Sequence, residues 1–346
     1  MRPLAFTLLR ELSHQHFVSG ARLAEKHGVS RSAVSDALRD ATDAGIGIFS
    51  LTRKGYRLAA PLELLDVDRI RTDLGATAKR VNVELLADID STNSELMRRA
   101  AAGAPGGMCL AAELQTAGRG RRGRAWHSAL GASLTFSLLW RFDKGAAQLG
   151  GLSLVVGLAV LRALRSLGDP GPVLKTMDPD RISLKWPNDI VAGDVKLAGV
   201  LIETQGDMLG PTYVVIGVGI NVNLSANLKS SIDQPATDIN ALSDHLPSRN
   251  QLLARTLQEL VGALDVFQET GFRTFKAAWR EHHVLHGKPV RVQFADGSMV
   301  DAMVKDVADD GALIVSVKGK DLHITAGEVS LRAAEPKAHT KAKPNK

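Results

Sequence analysis

Residues 118–140, GRGRRGRAWHSALGASLTFSLLW, decide the fold by the kind of element that succeeds their glycines. The first six satisfy the dinucleotide pattern GxGxxG, and Asp143 lies about 20 residues on, where a ribose-binding acid is expected. That pattern has its usual meaning only if the loop opens into a helix whose N-terminus faces a pyrophosphate. Here residues 133–140, SLTFSLLW, are β-prone and alternate with the period of a strand. The loop therefore does not belong to a doubly wound parallel sheet. Four arginines in seven residues, on a backbone that Gly118, Gly120 and Gly123 leave free to bend, suit a cover over an anionic ligand, with guanidinium forks on phosphate or carboxylate oxygens. Taken alone, the segment also reads as a flexible basic loop for nucleic-acid phosphates.

Outward from this strand, residues 81–88, 108–115, 182–192, 196–205 and 212–223 read as further strands, with helices expected at 94–102, 148–167 and 251–280. Most strands adjoin another through a short turn, which predicts a largely antiparallel sheet with helices packed on it. Asp90, Ser91, Thr92 and Asn93 precede the helix expected from Ser94 and form a cluster of donors for a small polar ligand head, although helix capping is the commoner reason for such a cluster taken alone. In KWPNDI, residues 185–190, a strand ends in Trp-Pro with Asn188 and Asp189 at its tip, and a hairpin returns carrying Lys196. Lys185 and Lys196 suit phosphate, Trp186 a flat ring, and Asp189 a ring donor or a metal-bound water. Solvated charge is the plainer reading of Lys196 by itself. On the strand GVGIN, Gly217 and Gly219 let a ligand approach the backbone.

Before residue 60 the pattern changes. Leu4, Leu8, Leu9 and Leu12 line one face of a helix over 3–16, and two shorter helices come next, the second capped by Ser19 and closed at Gly28, the third capped by Ser30. This is helix-turn-helix spacing, and IGIFSLTRKGYRL adds a hairpin wing turning at 52–55. Ser30, Arg31, Ser32, Ser35, Arg39, Arg53 and Lys54 are the candidate DNA contacts; Asp36, Asp40 and Asp43 oppose that reading, and a helical unit for packing or dimerisation is the alternative. After residue 286, four short strands joined by turns such as Asp296-Gly297 and Asp310-Gly311 predict a small β-barrel. The division expected is 1–60, 61–285, 286–332 and a basic, disordered tail 333–346.

A chain of 346 residues exceeds the size at which one core stops growing, in keeping with that division. Half of the net charge of +6 comes from the tail, so global basicity says little about nucleic acid. The longest apolar stretch, 152–164, is interrupted by Ser153, Gly157 and Arg162, and the apolar run at the start is too short for an export signal; no membrane association is expected. Cys109 is the only cysteine, which excludes an internal disulfide or a multi-cysteine zinc site and points to the cytoplasm.

Taken in order, DSTN (90–93), QTAGRGRRGRAW (115–126), KWPNDI (185–190), KLAGVLIE (196–203), GVGINVN (217–223) and GEVSLR (327–332) resemble the biotin protein ligases over nearly the whole chain. With the helices and wing before them, they are similar to the bifunctional type that is also the biotin-operon repressor. The resemblance implies an α/β (α+β) architecture: a winged helix-turn-helix, a central mixed sheet akin to class II aminoacyl-tRNA synthetases, and a C-terminal SH3-like barrel. It implies biotin and ATP with Mg²⁺ as reactants, biotinyl-5′-AMP as intermediate, and a lysine of a biotin carboxyl carrier protein of acetyl-CoA carboxylase or a related carboxylase as acceptor. Operator DNA and a homodimer are the further partners implied.

By motif position, the resemblance puts Ser91, Thr92, Asn93, Gln115, Gly118, Arg119, Gly120, Arg121, Lys196, Gly217 and Gly219 around biotin. Arg121, Trp126, Asn188, Asp189 and Asn221 would serve the adenylate, Asp189 also Mg²⁺, with Lys196 and Arg121 catalytic. Two departures stand out: the Pro-containing stretch 169–181 is long, and His127-Ser128-Ala129 replaces the usual aromatic-Ser-Pro. Two other readings remain beside the ligase: a DNA-binding regulator that only senses biotin or its adenylate, and a lipoate ligase of related fold.

Overall fold

The computed structural model describes residues 1–166, 181–206, 210–243, 246–294, 296–325 and the backbone of 329–333. Most of the stretch 169–181, the tail from 334, and Gly327 and Glu328 of the GEVSLR motif lie outside the described residues.

Three helices, α1 (Pro3–Leu9), α2 (Gly20–Lys26) and α3 (Arg31–Asp43), precede an antiparallel hairpin of β1 (Ile48–Leu51) and β2 (Gly55–Leu58). Ser30 caps α3, its Oγ accepting from the Ala33 N–H at 3.1 Å. Ser19 occupies the cap position of α2, but its side chain makes no capping bond, and α1 stops at Leu9 instead of running to 16. Leu12, beyond α1, still packs into the small core with Leu8, Leu23, Val34, Leu38 and Leu58. Leu64 and Leu130 complete that core from outside the first 60 residues, so the helix-turn-helix is docked on the body of the molecule.

The body is a seven-stranded sheet in the order β3-β4-β5-β9-β8-β7-β6. Its strands are β3 (Asn82–Ile89), β4 (Met108–Gln115), β5 (Ser133–Phe142), β6 (Ile182–Lys185), β7 (Asp189–Ala192), β8 (Val195–Gly206) and β9 (Thr212–Asn221). Only β3 and β4 run parallel; α5 (Thr92–Ala101) joins them, and every other neighbouring pair is antiparallel. Three helices, α4 (Val67–Leu74), α6 (Leu152–Ser166) and α8 (Arg249–Thr270), pack together against one face over Leu134, Phe136 and Leu138. On the other face α5 covers only part, where Leu96 meets Leu110, Leu139 and Val215. The uncovered remainder of that face carries the site.

Three further elements differ from expectation. The helix after DSTN begins at Thr92, with Ser91 as its cap, because the Ser91 Oγ reaches the Ser94 N–H at 3.4 Å. Residues 182–192 form two strands turning at Trp186-Pro187. The helix expected over 251–280 breaks at Gly271, whose φ of +63° no helix continues, and after a short 3₁₀ turn α9 (Lys276–Glu281) resumes.

After α7 (Ala226–Ser230) and α8, the chain ends in a five-stranded antiparallel sheet ordered β13-β12-β11-β10-β14. Its strands are β10 (Pro289–Phe294), β11 (Met299–Val307), β12 (Leu313–Val317), β13 (Lys320–Ile324) and β14 (Val329–Ala333). Val290, Val292, Val304 and Val315 join the main core. The contact with the body is close: a Cβ on Gly311 would lie 2.4 Å from the Gly151 Cα.

Candidate active site

The open part of the sheet face is floored by glycines. Gly199 on β8 pairs with Gly219 on β9, and Leu201 with Gly217, so Gly199, Gly217 and Gly219 fall on one face with Thr135 and Ser137 of β5. A side chain there would fill the recess. At Gly217 a Cβ would meet Asn93 Oδ1 at 2.1 Å, and at Gly219 the Trp126 ring at 2.4 Å. The recess, about 440 Å³ with the space at its open mouth included, is lined by Ser91, Thr92, Asn93, Gln115, Arg119, Gly120, Arg121, Trp126 and Lys196 above that floor, with Val200, Leu201 and Val218 supplying apolar wall.

Its polar end is ordered by a chain of short hydrogen bonds. The Thr92 N–H donates to Gln115 Oε1 at 2.8 Å, Thr92 and Ser137 hydroxyls lie 2.7 Å apart, and the Ser137 O–H donates to Asn93 Oδ1 at 2.5 Å. The Asn93 amide then donates to Glu203 at 2.9 Å, where Arg119 also donates. Thr92, Asn93 and Ser137 are buried, so each polar atom needs this partner set. Asp90 points elsewhere: Arg98 of α5 takes both its oxygens and holds the carboxyl below its usual range.

The arginine loop crosses the opening. Arg119 bridges to Ala125, the Trp126 N–H donates to Gly118 O at 2.9 Å, and Arg122 adopts φ +57° beside Gly123 at +73°. Arg121 donates to Asn188 Oδ1 at 3.1 Å, and burial pushes its guanidinium below the usual value against the pull of Asp189. Trp126 lines the recess, and its indole N–H is buried with no hydrogen-bond partner among the described residues.

On the far side of the loop lies a second recess of about 780 Å³, walled by Arg121, Arg122, Arg124, Lys185, Asn188, Asp189 and Gln234. Gly120, Arg121, Trp126, Asn188 and Lys196 line both recesses. Lys196 stands at their junction beside an irregularity in the β7–β8 register, and its Nζ lies 2.7 Å from Asp189 Oδ1. Its backbone is fixed through the 3.1 Å bond from its N–H to Pro235 O and by the Thr237 N–H on its own carbonyl. The site is thus two adjoining recesses with cations between them, suited to bringing two anionic groups together.

Gly118 and Asn221 line neither recess: Gly118 backs onto Trp126, and the Asn221 amide donates to Thr237 O at 2.9 Å. Trp186 is buried at the wall of the second recess, and its indole N–H donates to Gly311 O at 3.1 Å, in the turn between β11 and β12. Sequence reasoning missed Ser137, Gly199 and Glu203. The alternation of small polar residues 133, 135 and 137 on β5 signalled the first, but the others depend on register. Among the described residues no group of three His, Cys, Asp or Glu side chains gathers for a metal, and no helix is long and apolar enough to cross a membrane. In the helix-turn-helix, Arg31, Ser32 and Arg39 on α3 and Arg53 and Lys54 on the wing are exposed, while Ser30 is used in capping and Arg39 lies 3.7 Å from Asp36.

Residues 86–221 match the biotin/lipoate A/B protein ligase family, residues 5–57 an HTH domain, and residues 285–332 the biotin protein ligase C-terminal domain. The bifunctional ligase/repressor BirA of Salmonella typhimurium is 36% identical over 95% of this chain and 98% of its own length. The biotin--[acetyl-CoA-carboxylase] ligase of Mycobacterium tuberculosis is 35% identical over 79% of this chain and 97% of its own. Among solved structures, the Aquifex aeolicus biotin protein ligase in complex with biotin and ATP aligns with a TM-score of 0.59 and 28% identity, over 73% of this chain and 99% of that one.

Proposed function

The chain belongs to the biotin/lipoate A/B protein ligase family, and we propose on that premise that it adenylates biotin with ATP and transfers the biotinyl group to a carrier-protein lysine. The observation that carries this reading is the position of Lys196 and Arg121, which line both recesses. Biotin occupies the glycine-floored recess with its ring near Gly217 and Gly219 and its carboxylate toward Lys196. ATP occupies the second, its phosphates facing Arg121, Arg122, Arg124 and Lys185. A biotin carboxylate oxygen attacks the α-phosphorus and pyrophosphate leaves; the acceptor amine then attacks the carbonyl carbon of the mixed anhydride, and AMP leaves.

Lys196 offsets the charge of two approaching anions and then that of the departing AMP, releasing Asp189 as it does so. Gly118 and Asn221 act from behind, holding Trp126 and the loop after α7. The arginine loop closes over the anhydride and keeps water from it. Asp189 fits Mg²⁺ that arrives with the nucleotide, since Mg²⁺ is commonly held by one or two carboxylates with phosphate oxygens and water. The ion would supply neutralisation of phosphate charge.

The same proposal assigns 1–60 to operator DNA through α3 and the wing, 61–285 to the chemistry and 286–332 to the C-terminal unit, in a cytoplasmic protein. A homodimer is the form in which two such units read a two-fold site. Without an acceptor, the protein given biotin and ATP-Mg should release pyrophosphate and retain biotinyl-5′-AMP. Pyrophosphate release that ignores biotin, or that lipoate supports as well, overturns the reading.

A further inference from the structure

We propose that Glu203 is a positioning residue for the biotin recess, acting through Asn93 and Arg119 without touching the ligand; this rests on the ligase reading above. Glu203 lies on β8 opposite Val215, two residues beyond Leu201, and lines neither recess. Its carboxylate is nevertheless the acceptor on which the polar end of the site converges. Asn93 donates to its Oε2 at 2.9 Å and Arg119 donates to the same oxygen.

The consequence is directional. An amide can present either its oxygen or its nitrogen, and only its partners decide which. A carboxylate accepts and never donates when ionised, so Glu203 compels Asn93 to turn its NH₂ outward and its Oδ1 toward Ser137. Oδ1 then takes the Ser137 hydrogen at 2.5 Å, which leaves Ser137 to accept from Thr92 across 2.7 Å. With the Thr92 hydroxyl donating to Ser137 at 2.7 Å in preference to Gln115 Oε1 at 3.2 Å, Gln115 Oε1 is held by the Thr92 N–H at 2.8 Å. One exposed-side anion thereby sets the donor and acceptor pattern that a ligand head meets across three strands and the first turn of α5. Without it, the other contact of the Asn93 NH₂ is Leu201 O at 3.5 Å, too long to fix the orientation.

The second arm is the loop. Arg119 reaches across from the arginine loop to β8, so Glu203 ties the cover to the floor on the biotin side, as Asn188 ties Arg121 on the other. An ordinary half-exposed ion pair contributes little. Here one partner also holds a buried amide, so its loss reaches into the site.

Glu203→Ala and the volume-preserving Glu203→Gln test this in the full chain, by steady-state biotinyl-adenylate formation and by trypsin cleavage within residues 119–124. The expected result is a KM for biotin raised about tenfold or more, the size of one lost charge-assisted hydrogen bond, with kcat and the KM for ATP held within about twofold, and faster loop cleavage. Arg119→Ala combined with Glu203→Ala should cost less than the two losses added. If both Glu203 variants melt as the unsubstituted chain does and keep its KM for biotin, or lose kcat and both KM values together, the proposal is overturned. If the unsubstituted chain itself forms no biotinyl-adenylate, the ligase reading fails first.

Discussion

At the scale of single residues the site depends on one cation and on missing side chains. Lys196 lies between the recesses with its Nζ 2.7 Å from Asp189, so Lys196→Ala should reduce kcat for adenylate formation by about 10²–10³-fold, roughly what one removed oxyanion donor costs. Single-turnover kinetics at saturating substrates check this. Gly219→Ala should instead raise the KM for biotin by about tenfold, the effect of overpacking, since its Cβ would lie 2.4 Å from the Trp126 ring. Fluorescence titration with biotin measures that loss; unchanged affinity would show that biotin sits elsewhere. Gly217 and Gly219 were legible in the sequence because absent side chains stand out of an apolar strand, and Lys196, Arg119 and Arg121 through the series of motifs they belong to. Glu203 was not, because an acid near a strand end has no meaning until the β8–β9 register puts it beside Asn93 and Arg119.

At the scale of elements, the strand after the glycine loop carried the decision: β5 is antiparallel to β4 and β9, and no helix comes after the arginines to receive a pyrophosphate. The alternation that showed β5 to be a strand was legible, as was the succession of hairpins from β6 to β9. The parallel pairing of β3 with β4 was not, since periodicity does not encode which neighbour a strand chooses. The helix start at Thr92 was also missed, because Asp90, Ser91, Thr92 and Asn93 are all good caps and only the Ser91–Ser94 bond selects one. In the helix-turn-helix, exposed Arg31 and Lys54 lie on α3 and the wing. Replacing either by Ala should weaken operator binding and lower the salt slope by about 0.9, the signature of one lost phosphate contact. Binding titrations across salt concentrations measure the slope, and an unaltered slope would remove that residue from the interface.

At the scale of the molecule, the chain leaving the wing is fastened to the body by buried charge. Arg249, at the start of α8, donates to Glu113 at 2.7 Å and to Ser133 O at 3.1 Å, while Glu63 in the chain leaving the wing accepts from the Arg249 N–H and from Ser248. Arg249→Ala should cost about 3–5 kcal/mol in chemical denaturation by stranding Glu113, and a loss below about 1 kcal/mol would contradict that role. His283, stacked on Trp279 at 4.4 Å between α9 and β10, has its pKa pushed by burial down to about 3, with His286 and Lys288 adding to the effect. It is neutral when folded and takes up a proton on unfolding, so its contribution is full above the ordinary histidine range and is lost as the pH falls through it toward 3. Thermal melts of His283→Gln should fall less steeply with pH over that window. The two recesses that meet at Lys196 predict the transfer itself. Full-length protein incubated with biotin, ATP-Mg and a biotin carboxyl carrier domain should add a single biotinyl mass to one carrier lysine, and the Lys196→Ala protein should not. A carrier left unmodified by the unsubstituted chain, or labelled equally well by the Lys196→Ala chain, would contradict it.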